Sequence, residues 1–357
     1  QPKGSKPARR TAAITGCSDT SPPSRAPAPV ADCAGPSQEL QCAADLSTAK
    51  SGTAAMTEVV VVGGANLDVK AHLPAAAAAA TSNPGAVSFA AGGVGRNIAH
   101  NLARLGVATA LITVFGNDAA ADALAAETRE AEVDLSYAIR SGLPGGSYVA
   151  LLDAAGELVT AVNDMRLMDT LTPERLVPAR GLLDEARLIV ADCNIPEATL
   201  IHLAQHHGQK LLVEPVSLPK AGKLLAALAA HPVRLATPNR AQLAALAGDA
   251  DMARACTLLR GMGLTEIVVH CGAEGAIVAT ASGITTLPPL PPAHIADVTG
   301  AGDAAVAGLV FGLVRGRTIM DAAGLGQAAA GLVLASDRST LSELNPARLY
   351  ERADLAP

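Results

Sequence analysis

From residue 57 onward, the chain alternates short apolar runs with segments of helical periodicity. Apolar runs rich in Val, Ile and Leu predict buried strands at residues 59–62, 110–114, 188–191, 211–213 and 267–269. Helical patterns lie between and after them, at residues 95–105, 119–130, 197–207, 221–230, 251–261, 300–314 and 319–334. Because such alternation is typical of parallel sheets covered on both faces, the pattern predicts an α/β fold: a three-layer α/β/α sandwich with a mostly parallel central sheet.

Two regions, at about residues 65–93 and 137–165, interrupt this alternation. They carry turn signals at residues 83–85, 144–146 and 155–156, and around those turns they look like β-hairpin or loop material. The run of alanines at residues 75–80 predicts a loop. Together the two regions predict a small β lid above the sheet, within one folded domain at about residues 56–350.

Residues 1–55 differ from the rest of the chain. They hold seven prolines and many Ser, Thr and Ala residues without hydrophobic periodicity, which predicts a disordered tail or an interdomain linker. Their first thirty residues carry five basic side chains against one acid, a balance that also fits an organelle transit segment. The six cysteines form no CxxC pair, so we expect an intracellular protein, cytoplasmic or organellar.

Composition and charge narrow the class of partner. Hydrophobic residues make up 50% of the 357 residues and aromatic residues only 2%, so Ala, Leu and Val must fill the core. The net charge is −6 and no run is rich in Lys and Arg, which argues against a nucleic-acid partner. Polar or glycine residues interrupt every apolar stretch before it reaches about eighteen residues, so the sequence predicts no membrane span.

The most informative motif is DVTGAGD at residues 297–303, which opens an apolar helical segment. Gly300, Ala301 and Gly302 carry little bulk, so their backbone N–H groups can converge on an anion, and a helix N-terminus favours negative charge there. Asp303 would repel that anion, but the arrangement makes sense if its carboxylate removes a proton from a hydroxyl group that attacks a phosphoryl group. The alternative is a glycine-rich turn with Asp303 as an ordinary first-turn residue.

Polar residues near other predicted strand ends and glycines are further candidates for a binding site. Asn66 and Asp68 lie two residues apart in an extended segment, so they point the same way and suit two neighbouring hydroxyl groups. Gly93 and Asn97 belong to a glycine-rich helix start, where the backbone can approach a ligand closely. For both pairs, a turn or helix cap is the alternative. Other polar residues follow strands, at the edge where open α/β sheets bind ligands: Asn163, Asn194, Glu214 and Asn239.

The order of these motifs resembles the PfkB (ribokinase-like) family of sugar and nucleoside kinases. The GGVGRN sequence at residues 92–97, Pro238-Asn239 and the late DVTGAGD motif carry the resemblance, which extends from residue 57 to about residue 345. Outside these general signatures, the sequences SNPG at residues 82–85, VNDM at 162–165, IVADCNI at 189–195 and PVS at 215–217 look most like family members that act on pseudouridine.

The resemblance implies ATP-dependent phosphorylation of a nucleoside 5′-hydroxyl group, with Mg²⁺ as cofactor and K⁺ as a candidate monovalent cation. Asp303 would be the base, and Gly300, Ala301 and Gly302 would hold the transferring phosphoryl group. The nucleoside would contact Asn66, Asp68, Gly93, Asn97, Ser147, Asn163 and Asn194. The nucleotide would contact Asn239, Gly272, Gly275, Thr299 and Gln327. Asp297 matches a monovalent-cation ligand, and Glu214 is a candidate Mg²⁺ ligand.

One position departs from the family pattern. The family commonly has Asn-x-x-Glu, whose glutamate helps to hold hydrated Mg²⁺, whereas this chain has Gln242 three residues after Asn239. We therefore expect a raised Mg²⁺ requirement. Two other functions stay open: a kinase of the same family acting on ribose or adenosine, and a nucleoside-binding protein that has lost catalysis.

The resemblance also bears on partners. Family members often pair through their lid strands, which predicts a homodimer. Kinases of this kind are sometimes fused to a pseudouridine-phosphate glycosidase, which makes such an enzyme a candidate fusion or functional partner.

Overall fold

The computed structural model describes residues 56–336 and 338–356, so the tail, linker or transit segment predicted at residues 1–55 lies outside the described residues. Its strands are β1 (Val59–Val62), β2 (Asn66–His72), β3 (Ala86–Gly92), β4 (Thr109–Ile112), β5 (Val114–Phe115), β6 (Ile139–Arg140), β7 (Ser147–Leu152), β8 (Leu158–Asp164), β9 (Leu188–Asp192), β10 (Leu211–Glu214), β11 (Val233–Ala236), β12 (Leu264–His270), β13 (Ala276–Thr280) and β14 (Gly283–Leu287).

The α-helices are α1 (Val94–Arg104), α2 (Ala119–Glu130), α3 (Pro173–Leu176), α4 (Arg180–Glu185), α5 (Glu197–His207), α6 (Leu218–Ala221), α7 (Lys223–Ala230), α8 (Arg240–Ala247), α9 (Met252–Gly261), α10 (Ala301–Val314), α11 (Ile319–Leu334) and α12 (Pro346–Ala353). Short 3₁₀ helices lie at Arg166–Thr170, Val177–Ala179, Gly208–Lys210 and Gly272–Glu274. Within the described residues, no helix is both long and apolar enough to cross a membrane.

The central sheet has the strand order β14-β13-β12-β11-β10-β9-β1-β4. The strands from β12 to β4 are parallel, and β13 and β14 continue the sheet as antiparallel strands. The predicted mostly parallel sheet is confirmed. Strand β1 lies inside it, paired on both sides, which explains why its sequence is a continuous apolar run.

Alternate side chains of β1 feed two separate hydrophobic cores. Val59 and Val61 pack into the core that contains α1, α2, α10 and α11, whereas Val60 and Val62 pack into the core that contains α5, α7 and α9. Because the two faces of one strand are covered by different helices, the described chain has the three layers that the sequence predicts.

The two regions that interrupt the alternation form a second sheet, with the order β3-β2-β7-β8. Strand β2 pairs antiparallel with β3 and parallel with β7, and β7 pairs antiparallel with β8. The alanine run between β2 and β3 is neither helix nor strand. A short additional sheet joins β5 to β6. We call the four-stranded sheet the lid.

Several predicted boundaries match the structure, and others need correction. Helices α2, α5 and α11 have the predicted bounds. The helix predicted at residues 221–230 is instead two helices, α6 and α7, that meet at Gly222. The strand predicted at residues 110–114 is interrupted at Thr113. Strands β11, β13 and β14 and helix α8 are among the elements that were not predicted. An arginine interrupts the short apolar run of β11, and β14 exposes most of its residues.

Candidate active site

A cavity of about 860 Å³ lies between the lid and the carboxyl ends of the central strands. The lid contributes side chains from β2, β7 and β8, and the core contributes the start of α10 and the segment after β9. The structure brings most of the proposed nucleoside contacts and part of the anion-binding motif to this cavity: Asn66, Asp68, Gly93, Asn97, Asn163, Asn194, Asp297, Thr299, Gly300 and Asp303.

The anion-binding motif forms the N-terminus of α10. Gly300 adopts a left-handed conformation with φ of 80°, and a Cβ atom there would lie 2.5 Å from the Ser339 carbonyl oxygen, so only glycine fits. Among the described residues, no side chain caps this helix. A Cβ atom added to Gly302 would meet open space. The Ala301 N–H makes a long hydrogen bond of 3.5 Å to the Val298 carbonyl oxygen, whereas the N–H groups of Gly302 and Asp303 have no backbone acceptor among the described residues and remain available to an anion such as a phosphoryl group.

Asp303 lies in the first turn of α10 and faces the cavity. Asn97 on α1 donates a hydrogen bond of 2.8 Å from Nδ2 to Asp303 Oδ2. Burial raises the pKa of Asp303 to about 7; the Asn97 hydrogen bond opposes this rise, and the charges of Asp192 and Asp68 add to it. A carboxyl group with this pKa can accept a proton near neutral pH.

Asn66 and Asp68 point to the same face of β2, as the sequence predicts. Asn66 Nδ2 donates to Asp68 Oδ1 over 2.6 Å, which leaves the second carboxylate oxygen for another donor. Burial raises the pKa of Asp68, while the hydrogen bond from Asn66 and the charges of Lys70 and Arg96 oppose the rise. A side chain at Gly92 would overlap the Asp68 carboxylate. Gly92 thus makes room for Asp68, whereas Gly93 allows close approach of the backbone at Gly64 and Ala65.

Asp192, at the end of β9, holds the entrance of α1 against the loop after β1. Its Oδ2 atom accepts hydrogen bonds from the backbone amides of Gly64, at 2.8 Å, and Gly95, at 2.7 Å. Asp192 is fully buried, and burial raises its pKa. Sequence analysis placed this residue at a strand end without giving it a role; the structure shows that it fixes the glycine-rich turns.

Arg96 holds the side-chain amide of Asn97 in position through a hydrogen bond. The Arg96 side chain is fully buried, pairs with Glu127 at 2.8 Å, and donates from Nη1 to Asn97 Oδ1 at 3.3 Å. With its carbonyl oxygen held in this way, the Asn97 amide can direct its N–H group at Asp303. Asn97 is not the cap of α1, because the helix begins at Val94.

Glu214 and Asn239 lie at neighbouring strand ends on the proposed phosphate side. Thr237 Oγ1 donates to Glu214 Oε2 over 2.5 Å, and Val216 N donates to Oε1. Burial raises the pKa of Glu214 to about 8. The hydrogen bonds from Thr237 and Val216 act to lower this pKa, whereas the negative charge of Asp303 acts to raise it further. Oxygen donors of this kind suit Mg²⁺, which proteins hold with one or two carboxylates together with substrate phosphates.

Gln242 forms a reciprocal capping box with Asn239 at the start of α8. Asn239 Oδ1 accepts from the Gln242 amide, and Gln242 Oε1 accepts from the Asn239 amide at 2.8 Å. The side chain of Gln242 is therefore committed to the helix start and lies buried.

The remaining proposed nucleotide contacts lie apart from the large cavity. Gly272 and Gly275 flank a 3₁₀ turn after β12, both with positive φ, and a Cβ atom at Gly275 would overlap the Leu287 carbonyl oxygen. Gln327 lies on α11, where its Oε1 atom accepts from the Leu290 amide at 3.2 Å.

Ser147, one of the proposed nucleoside contacts, does not line the large cavity. The structure places Ser147 in a neighbouring cavity of about 170 Å³, on the lid face opposite to Tyr148.

Two lysines in the cavity were missed by sequence analysis. Lys220 on α6 donates to Asn194 Oδ1 over 2.5 Å. Lys70 on β2 donates to Asp297 Oδ2 over 2.6 Å and to Thr299 Oγ1 over 3.1 Å. The period-two spacing of Asn66, Asp68 and Lys70 was the available signal for Lys70, because it puts all three on one strand face.

Comparisons with known proteins identify the family to which the chain belongs. A family model for the pfkB family of carbohydrate kinases matches residues 56–345. Pseudouridine kinase from Escherichia coli strain K12 is 33% identical over 306 residues, which cover 83% of this chain and 97% of that protein. A carbohydrate kinase from Agrobacterium tumefaciens has a solved structure with a TM-score of 0.72 and 32% identity, covering 85% of this chain and 98% of its own.

A ribokinase from Arabidopsis thaliana, solved with ribose and ATP, aligns with a TM-score of 0.75 at 20% identity and covers 85% of this chain and 100% of its own. This likeness concerns the fold, which is ribokinase-like. The chain belongs to the pfkB family of carbohydrate kinases. It is a phosphotransferase of the sugar and nucleoside kinase class, and the resemblance to pseudouridine kinase that the motifs indicate is confirmed.

Proposed function

We propose that this protein transfers the γ-phosphoryl group of ATP to the 5′-hydroxyl group of pseudouridine, giving pseudouridine 5′-phosphate and ADP. One observation carries the proposal. Asp303, with its pKa of about 7 and its hydrogen bond from Asn97, lies in the first turn of a helix whose N-terminus has no side-chain cap, and it faces the same cavity as Asn66 and Asp68.

The lid side of the cavity binds the sugar. Asp68 accepts from one ribose hydroxyl group through its free oxygen, while Asn66 and the backbone at Gly93 hold the neighbouring hydroxyl. Because Asn66 already orients the Asp68 carboxylate, little side-chain freedom is lost on binding. This placement directs the 5′-hydroxyl group toward Asp303, which takes up its proton as the new O–P bond forms.

The core side of the cavity receives the phosphoryl group. The N–H groups of Gly300, Ala301 and Gly302 stabilise the charge on its oxygens, and the helix dipole of α10 adds to this. Gly272, Gly275 and Gln327 border the nucleotide. Glu214 and Asn239 would hold Mg²⁺ together with the phosphates of ATP, and the bound ion would neutralise phosphate charge. Closure of the lid excludes water from the reacting groups.

Three features support pseudouridine as the acceptor. The similarity to Escherichia coli pseudouridine kinase extends over 97% of that protein. Asn163 and Met165, from the VNDM sequence, line the cavity on the lid side. Asn194, from the IVADCNI sequence, lines it on the core side and is held by Lys220. The side-chain amides of Asn163 and Asn194 can form hydrogen bonds with the polar edges of a base that is joined to ribose through carbon.

The test is an ADP-release assay with ATP and Mg²⁺, comparing pseudouridine with uridine, adenosine and ribose, with the product identified by mass and ³¹P NMR. We expect selective turnover of pseudouridine to its 5′-phosphate. Efficient turnover of ribose or adenosine instead would discard the proposed acceptor and keep the kinase. Binding of a nucleoside without ADP release would favour a protein that has lost catalysis.

A further inference from the structure

Lys70 places a positive charge where the family resemblance implies a monovalent cation. The Lys70 ammonium group lies 2.6 Å from Asp297 Oδ2 and 3.1 Å from Thr299 Oγ1. Lys70 belongs to lid strand β2, whereas Asp297 and Thr299 belong to the core segment that leads into Gly300. The ion pair therefore bridges the mouth of the cavity, which these three residues line.

The oxygen atoms of Asp297 are already engaged. Oδ1 accepts from Thr299 N at 2.8 Å and from Thr299 Oγ1 at 2.7 Å, and Oδ2 accepts from Lys70. Although partial burial opposes ionisation, the hydrogen bonds from Lys70 and Thr299 keep the pKa of Asp297 below its ordinary value. In this arrangement the donor set does not fit K⁺, because an ammonium group occupies the side of the carboxylate that K⁺ would need.

We propose that Lys70 is a built-in monovalent cation that replaces K⁺ at Asp297. An ammonium group carries the same single charge as K⁺ and offers three N–H donors. Held between Asp297 and Thr299, it fixes the segment one residue before Gly300 and so positions the N–H groups that bind the phosphoryl group. Lys70 is thus a positioning residue, and this chain needs no added K⁺.

Lys70 is part of lid strand β2, so this cation, unlike a free ion, is covalently attached to the lid. Asp68, the proposed ribose ligand, lies two residues away on the same strand face. The ion pair is formed in this structure, so Lys70 links β2 directly to the segment that precedes Gly300. The position of the anion-binding turn is therefore tied to that of lid strand β2, and the ATP affinity reports on this link.

The experiment measures ATP affinity by calorimetry and thermal unfolding, for the native protein and Lys70→Met, in KCl, NH₄Cl and choline chloride at one ionic strength. For the native protein we expect ATP affinity to change less than about twofold between salts. For Lys70→Met in choline chloride we expect about tenfold weaker ATP binding, restored by K⁺ or NH₄⁺, since either ion can enter the vacated position.

Three further variants serve as controls. Lys70→Arg keeps the charge and should stay independent of K⁺. In the double variant Lys70→Met/Asp297→Asn, the carboxylate that would attract K⁺ is gone, so K⁺ should restore nothing. Arg254→Met removes one positive charge from the exposed surface of α9, where Arg254 pairs with Asp249, and should resemble the native protein.

Two results would overturn the inference. One is a native protein whose ATP affinity or stability in KCl exceeds that in choline chloride by about tenfold or more. The other is a folded Lys70→Met protein that no monovalent cation restores. The inference rests on the proposed kinase function, but these readouts require no nucleoside turnover. A failure to phosphorylate pseudouridine would therefore leave the test of Lys70 intact.

Discussion

At the scale of single residues, the chemistry depends on the proton affinity of Asp303. Burial raises its pKa to about 7, and the Asn97 hydrogen bond acts against that rise by favouring the carboxylate. A base must be ionised to accept a proton. Activity should therefore be lost as the pH falls through the pKa of Asp303 and be fully present above it.

Removing the Asn97 hydrogen bond should move this pH dependence. In Asn97→Leu the carboxylate loses a donor, so its pKa rises and the acid limb of the kcat/KM profile shifts from about 7 to higher pH. Because Asn97 also lines the sugar side of the cavity, KM should increase as well. The measurement is a kcat/KM profile from about pH 5 to about pH 9, roughly two pH units on either side of the native pKa of about 7. An acid limb that stays at the native position would contradict the role given to Asn97.

At the scale of secondary structure, two glycines in one turn carry different tasks. Gly300 is required by the backbone, through its positive φ and the Ser339 carbonyl oxygen. Gly302 has open space where a Cβ atom would stand, in the region proposed for the phosphoryl group. The two positions therefore separate the folding of the turn from its binding of an anion.

Alanine at each position should separate these effects. Gly300→Ala should lower the free energy of unfolding by about 1–3 kcal/mol, because its backbone conformation is strained and the methyl group meets Ser339. Gly302→Ala should leave stability unchanged or slightly higher, since alanine favours helix, and should raise KM for ATP. Thermal unfolding and ATP titration on both variants check this. Equal stability losses in the two variants would contradict the assignment.

Gln242 tests how the start of α8 affects Mg²⁺. In Gln242→Glu the carboxylate can keep the hydrogen bond from the Asn239 backbone N–H and adds a negative charge at the start of α8, beside Asn239, so the Mg²⁺ concentration for half-maximal activity should fall. Gln242→Ala is the matched control: it loses the hydrogen bond from the Asn239 backbone N–H to the residue-242 side chain, keeps the Asn239 cap, and gains no charge. An unchanged Mg²⁺ titration in Gln242→Glu would end this explanation.

At the scale of the whole molecule, the outer face of the lid is apolar. Pairing registers Phe89, Val69, Val149 and Val162 in one row across the four strands. Phe89 and Val162 are 68% and 67% exposed, well above the exposure of core residues. Large apolar side chains in a continuous row mark an interaction surface, which supports the predicted homodimer through the lid.

A charge in this row should separate the subunits. Phe89→Glu buries a carboxylate in the proposed interface, so the apparent mass by light scattering should fall to that of a monomer at micromolar concentration. Val177→Glu is the control, because Val177 is 65% exposed but lies outside the lid. A native protein that is already monomeric, or a Phe89→Glu protein that stays dimeric, would refute the lid interface.

Local signals predicted much of the fold and part of the site. The apolar run of β1 and the alternation of polar residues along β2 are short-range patterns that predict strands. The glycine-rich sequence at Gly300 likewise predicts a tight turn from local sequence alone. The contacts that complete the site join distant positions. Asn97 and Asp303 are 206 residues apart, and Lys70 and Asp297 are 227 residues apart. Neither pairing has a local signature. The spacing along β2 could have placed Lys70 on the cavity face, but its partner Asp297, the contact of Lys220 and the roles of Asp192 and Arg96 are visible only in the tertiary structure.

The central claim is that Asp303 accepts the proton of the attacking hydroxyl group. The most direct measurement is single-turnover phosphorylation of pseudouridine by Asp303→Asn, together with pseudouridine affinity by calorimetry. Asparagine keeps the size of the side chain and cannot accept the proton, so we expect turnover to fall by about 10²–10⁴-fold with nucleoside affinity largely kept. Turnover within about tenfold of the native rate would contradict the account.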